Sequence, residues 1–177
     1  MMLSMPGLVV VPALLWVVLS DLLYRRIANA VVLALLLLWV AYTGWQYWQG
    51  AAGVQWENTA SALLTAAVVL VLGYVLFTMR WMGAGDAKLM ATLCLWLGGQ
   101  ALTFLMVTAL AGGMLALGLP LLRQLERALA LFLVRVGDCL PRLAVPQPVV
   151  FQEDAPAGIP YGVAIACGAA FVLWSGA

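Results

Sequence analysis

The chain reads as an all-α, polytopic membrane protein with about six transmembrane helices and one cytoplasmic interfacial amphipathic helix. Three observations predict this. Of its 177 residues 66% are hydrophobic and 8% charged, with mean hydropathy +1.09, far too little polar surface for a soluble domain. Apolar runs recur near 3–20, 30–46, 59–79, 87–99, 101–119 and 159–176. At about 20 residues per crossing the length holds six spans and little else, so residues 1–177 are expected to form a single integral-membrane domain. The basic residues, finally, fall only in alternate connections. The net charge of +1 gives no electrostatic footprint for nucleic acid.

The elements follow in order. The first run reaches Ser20, about 30 Å at 1.5 Å per residue, which puts Asp21 at the membrane edge. No basic residue precedes Arg25, so a signal peptide is not expected and the first helix should stay in place. The second and third runs are joined by 42–58, which carries Trp45, Tyr47, Trp48 and Trp56 but no Lys or Arg, the composition of an interfacial aromatic belt. The fourth run is short: from Asp86 to Gly99 is about 20 Å, so Asp86 should lie below the surface. After the fifth run, 120–157 is the one long polar connection. Leu121, Leu122, Leu125, Leu129, Phe132 and Val136 recur at helical spacing, with Arg123, Glu126 and Arg127 elsewhere on the turn. Residues 121–137 are therefore expected to lie on the cytoplasmic leaflet. Pro141, Pro146, Pro148 and Pro156 then make an irregular tether. With the N-terminus outside, all eight Lys and Arg residues sit on the cytoplasmic side, and both Asp21 and Asp86 face it.

The chemistry available is narrow. The sequence has no histidine, which excludes Ser-His-Asp, Cys-His and H-E-x-x-H hydrolases and, with no thiolate cluster, makes zinc improbable. Cys94 and Cys167 fall in predicted spans and Cys139 in a loop, as small packing residues. A Ser-Lys dyad stays formally open with Lys88, the sole lysine, and Ser20 or Ser61.

Two aspartates are the better apparatus. An Asp at the centre of a membrane helix costs roughly 2.5–3.5 kcal/mol, so two at the ends of separate spans suggest a shared site. Close carboxylates cannot both ionise, so one keeps a proton. The ionised partner then takes a proton from water as it attacks a carbonyl, and no cofactor or metal is required. Gly83 and Gly85 suit a tight turn close to substrate, although Gly-Ala-Gly can equally be a plain loop with Asp86 as a helix cap.

Other residues carry weaker signals. Arg25 lies four positions after Asp21, as an ion-pair partner or topology anchor, and either Arg25 or Arg26 could dock substrate. Lys88 either tunes Asp86 or anchors the boundary. Pro160 suits a first helical turn, Tyr161 could line the site, and Gly137-Asp138 belongs to the solvated connection.

Taken together, Ser20-Asp21-Leu22-Leu23-Tyr24-Arg25-Arg26-Ile27-Ala28-Asn29, then Gly83-Ala84-Gly85-Asp86-Ala87-Lys88-Leu89, then Ile159-Pro160-Tyr161-Gly162-Val163-Ala164 occur in order. This resembles the prepilin peptidases, membrane aspartic proteases of the Gly-x-Gly-Asp class, most closely the short form of Tad-type (Flp) pili. The resemblance implies Asp21 and Asp86 as the catalytic pair, with Gly83, Gly85, Lys88, Arg25, Arg26, Asn29, Pro160 and Tyr161 in support. It implies prepilin or pseudopilin substrates and cleavage of their basic leader at the cytoplasmic face of a bacterial inner membrane, commonly just after a glycine. Ala28-Asn29 stands where the family usually has Pro-Asn, and Asn29 is expected to cap the second span. Nothing matches the four-cysteine insert of the long, N-methylating forms, so a peptidase without methylation is expected. Presenilin-type proteases are generally larger and fit the Asp21-to-Asn29 context less well. The alternative from another class is a small proton-coupled transporter or channel. Both acids lie at one face rather than along a path, and no inverted repeat appears.

Overall fold

The computed structural model describes residues 5–50, 56–139 and 159–175. They form seven α-helices: α1 (Met5–Tyr24), α2 (Asn29–Trp48), α3 (Trp56–Thr78), α4 (Ala84–Leu97), α5 (Ala101–Leu117), α6 (Leu119–Cys139) and α7 (Tyr161–Ser175), with a 3₁₀ turn at Gly98–Gln100 between α4 and α5. Each of the six apolar runs contains a helix. A helix satisfies its own backbone polar groups, as a chain in lipid must. Leu15, Trp16, Leu37, Leu64, Val71 and Leu110 point outward, as expected where lipid is the solvent.

Four stretches are long and apolar enough to cross a membrane: Gly7–Tyr24, Asn29–Trp48, Trp56–Thr78 and Ala84–Leu117. The last contains two of the predicted spans. At 34 residues a straight rod would run about 51 Å, well beyond a 30 Å hydrocarbon core. Gly98, at φ 52° and ψ −122°, breaks the helical path there. α7 has only 15 described residues and falls short of that length.

α4 is the central element, packed against α2, α3, α5 and α7. Its residues Leu89 and Ala91 to Leu97 are buried, which explains why its sequence is apolar all round. Small residues bring its neighbours close. A Cβ on Gly73 of α3 would stand 2.6 Å from the Ala87 Cβ, the close approach that holds membrane helices together without a hydrophobic driving force. Trp96 crosses to α2, donating its indole N–H to the Leu35 carbonyl at 3.0 Å and stacking on Tyr42 at 5.9 Å. α7 packs between α5 and α1 through Ala164, Ile165, Gly168, Ala169 and Val172.

The expected amphipathic helix exists, as α6, but its faces are not those of a simple two-sided pattern. Leu121, Leu125 and Phe132 of the leucine stripe are exposed, whereas Leu122, Glu126 and Ala130 are buried. At 100° per residue the protein-facing side is turned about a quarter turn from the leucine stripe. Leu121, Leu125 and Phe132 are thus left for lipid while Leu122 turns inward, and Glu126, expected among the charged residues in water, is only 4% exposed. Cys139, expected in a loop, ends α6, and Gly137-Asp138 belong to its last turn. The proline tether, with Pro141, Pro146, Pro148 and Pro156, lies outside the described residues.

Candidate active site

Asp21 occupies the last turn of α1. That helix closes when the Arg25 N–H bonds the Asp21 carbonyl at 3.0 Å and Arg25 turns into the left-handed region at φ 51°, a common way for a helix to stop. The Asp21 side chain is 6% exposed, and its Oδ2 accepts the backbone N–H of Gly162 at 2.7 Å. Gly162 belongs to the first turn of α7, where N–H groups have no partner inside the helix and the helix dipole favours negative charge. The approach requires glycine: a Cβ there would sit 2.8 Å from that same oxygen.

Asp86 is the third residue of α4, after Gly83 as N-cap. Its Oδ2 accepts the Gly83 N–H at 3.3 Å, half of a capping box. The capping contact that the plain reading expected is therefore present, and it does not keep Asp86 out of the cavity. Asp86 lines a cavity of about 690 Å³ whose walls include Phe77, Trp81, Arg80, Ile159 and Tyr161. Arg80, at φ 61°, turns the chain from α3 into this loop.

The first turn of α7 connects the two acids. Gly162 holds Asp21, while Tyr161, packed against Gly112 of α5, shares the cavity with Asp86. Because Tyr161 and Gly162 are consecutive, one helical turn borders both the Asp21 carboxylate and the cavity that Asp86 lines. Among the described residues no hydrogen bond joins the carboxylates; backbone N–H groups hold each of them. Gly85 lets α4 start against Ile27 of the α1–α2 connection, since a Cβ would meet Ile27 at 3.1 Å.

The supporting residues sort differently from expectation. Arg25 directs its guanidinium to Glu126 of α6 at 2.8 Å. Arg26 is exposed. Asn29 does not cap α2: the N-cap is Ala28, with no side-chain bond. Instead Asn29 Oδ1 accepts from Lys88 Nζ at 3.3 Å, which ties the start of α2 to α4 and directs the ammonium to an amide. Pro160 is buried and precedes α7 rather than lying in its first turn, its carbonyl accepting the Val163 N–H at 3.2 Å. The Ser-Lys arrangement is not assembled. Ser20 and Ser61 donate to Val17 and Asn58 carbonyls in their own helices, away from Lys88. Among the described residues no three His, Cys, Asp or Glu side chains gather as a metal-holding group.

Two participants were not anticipated. The Gly162 amide is a backbone group, and its only sequence trace is a glycine just after Pro160-Tyr161 at the head of an apolar run. Glu126 was hidden by its own charge, which assigned it to water. No curated protein and no solved structure matches the chain. The model of the type IV leader peptidase family matches residues 8–120, which takes in both aspartates and the Gly83-to-Asp86 turn. With well over half of its length matched, this chain belongs to the type IV leader peptidase family and is a membrane-embedded protease.

Proposed function

We propose that the chain is an aspartic endopeptidase whose dyad is Asp21 and Asp86. It removes the leader from type IV, Tad/Flp-like, prepilins and pseudopilins at the cytoplasmic face of a bacterial inner membrane. The observation that carries this reading is the first turn of α7, where adjacent residues face the two acids: Gly162 bonds Asp21, and Tyr161 lines the cavity that Asp86 also lines.

In the proposed reaction one carboxyl is protonated and the other ionised, as close pairs become. The carboxylate takes a proton from water while the water oxygen attacks the scissile carbonyl, and the carboxylic acid protonates the carbonyl oxygen. The resulting gem-diol collapses as its proton returns to a carboxylate and the amide nitrogen is protonated. The C–N bond breaks, giving a leader carboxylate and a free amine on the pilin. The Gly162 N–H keeps the Asp21 carboxylate oriented and the apolar walls of the cavity accept the substrate's hydrophobic segment. Residues 1–177 act as one integral-membrane domain, in contact with lipid along the exposed leucines, and the reaction is peptidase-only without methylation.

Asp21→Asn and Asp86→Asn each remove one ionisable group while keeping its shape. Each should abolish leader removal from a prepilin incubated with purified enzyme, read as a precursor mobility shift and located by mass spectrometry. Either variant processing at the wild-type rate would overturn the assignment.

A further inference from the structure

Glu126 is the strongest unexplained feature of the fold. It is a nearly buried acid on the protein-facing side of α6, between buried Leu122 and Ala130, and it lies beyond residues 8–120, where the family match ends. Buried charges persist when they are paired, and Glu126 is paired with Arg25 at 2.8 Å, with both side chains largely shielded from solvent. Arg25 in turn sits on Asp21. Its N–H closes the last turn of α1 onto the Asp21 carbonyl at 3.0 Å, and its left-handed backbone at φ 51° is one that a residue other than glycine adopts only when its surroundings hold it.

We propose that Glu126 is a positioning residue for proteolysis: through its ion pair with Arg25 it fixes the terminal turn of α1, so that Asp21 stays on the Gly162 N–H. This rests on the reading of Asp21 as one of the catalytic acids. It gives α6 a part in the reaction, since the segment that leads on toward α7 also clamps the turn that α7 engages. Glu126 does not touch substrate. Its loss should therefore lower kcat while leaving KM nearly unchanged.

The test is a double-mutant cycle on cleavage of a prepilin by the purified full chain, with Glu126→Gln, Arg25→Gln and the double variant beside wild type and Asp21→Asn. We expect Glu126→Gln to lower kcat by tenfold or more with KM within twofold, and the double variant to be no worse than the poorer single variant, because both break one pair. Wild-type kcat in Glu126→Gln, a loss carried by KM, or multiplying losses in the double variant would each overturn the role. If Glu126→Gln does not accumulate in membranes, Glu126→Asp, which keeps the charge on a shorter stem, takes its place. A selective fall in kcat supports the role and an unchanged kcat overturns it. An active Asp21→Asn removes the underlying reading, whereas an inactive Asp21→Asn beside a fully active Glu126→Gln removes only this inference.

Discussion

A methyl group on Gly162 would come 2.8 Å from Asp21 Oδ2 and 3.1 Å from its Cγ, so Gly162→Ala must push the carboxylate off the amide that holds it. Misplacing a catalytic group by about 1 Å can cost on the order of 10²-fold in rate. Gly162→Ala should therefore lose cleavage on that scale while still accumulating in membranes, measured as turnover of a purified prepilin. Gly113, at which a Cβ meets nothing within 4 Å, is the matched control: Gly113→Ala should process normally and stabilise its helix by up to about 1 kcal/mol. At this scale the sequence was informative where side chains carry the chemistry. Asp21 and Asp86 could be singled out because an acid among leucines is expensive. The Gly162 amide could not, because a backbone N–H leaves no mark of its own and acts only where the fold aims it.

Helices in lipid are held by close packing, so their contacts should be most sensitive where backbones approach most nearly. α3 and α4 meet at Gly73 and Ala87, with only 2.6 Å from a Cβ on Gly73 to the Ala87 Cβ. Gly73→Val should force these helices apart, at a cost of about 1–3 kcal/mol for overpacking, read as a lower unfolding midpoint in detergent. Activity should fall with it, because Ala87 follows Asp86 directly and the displaced start of α4 carries that carboxylate. Hydropathy made the helices themselves legible: each of the six apolar runs contains a helix, and the break near Gly98-Gly99-Gln100 falls where the fourth run was expected to end. The faces of α6 were less so. Leu121, Leu125 and Phe132 define an apolar stripe, yet lipid and protein both accept such a stripe. The side that meets the bundle is marked instead by Glu126 seated on Arg25, with Leu122 and Ala130 buried beside it. Asn29 misled for a related reason, since a residue with a good capping side chain was drawn to Lys88 by tertiary contact.

Across the whole molecule, the contacts sort the chain into two unlike ends. One end gathers Arg25 with Glu126, Lys88 with Asn29, and Gly162 with Asp21. The other joins α2 to α3 through the Tyr47 hydroxyl and Thr59 at 2.9 Å, flanked by exposed Trp45, Trp48 and Trp56. The basic end also carries the cavity beside Asp86, so orientation and the proposed function are linked: on that reading, a bundle inserted with that end outward would present its acids to the wrong compartment. The excess of Lys and Arg at that end favours the cytoplasmic side. The orientation is testable in a cysteine-free background, with Cys94, Cys139 and Cys167 replaced by alanine and a single cysteine added at Trp48, which is 87% exposed, or at the exposed Gln124. A membrane-impermeant maleimide added to intact spheroplasts should label Trp48→Cys at once and Gln124→Cys only after permeabilisation. The reverse pattern would place Asp21 and Asp86 on the outer face, where a precursor whose basic leader is still cytoplasmic could not reach them.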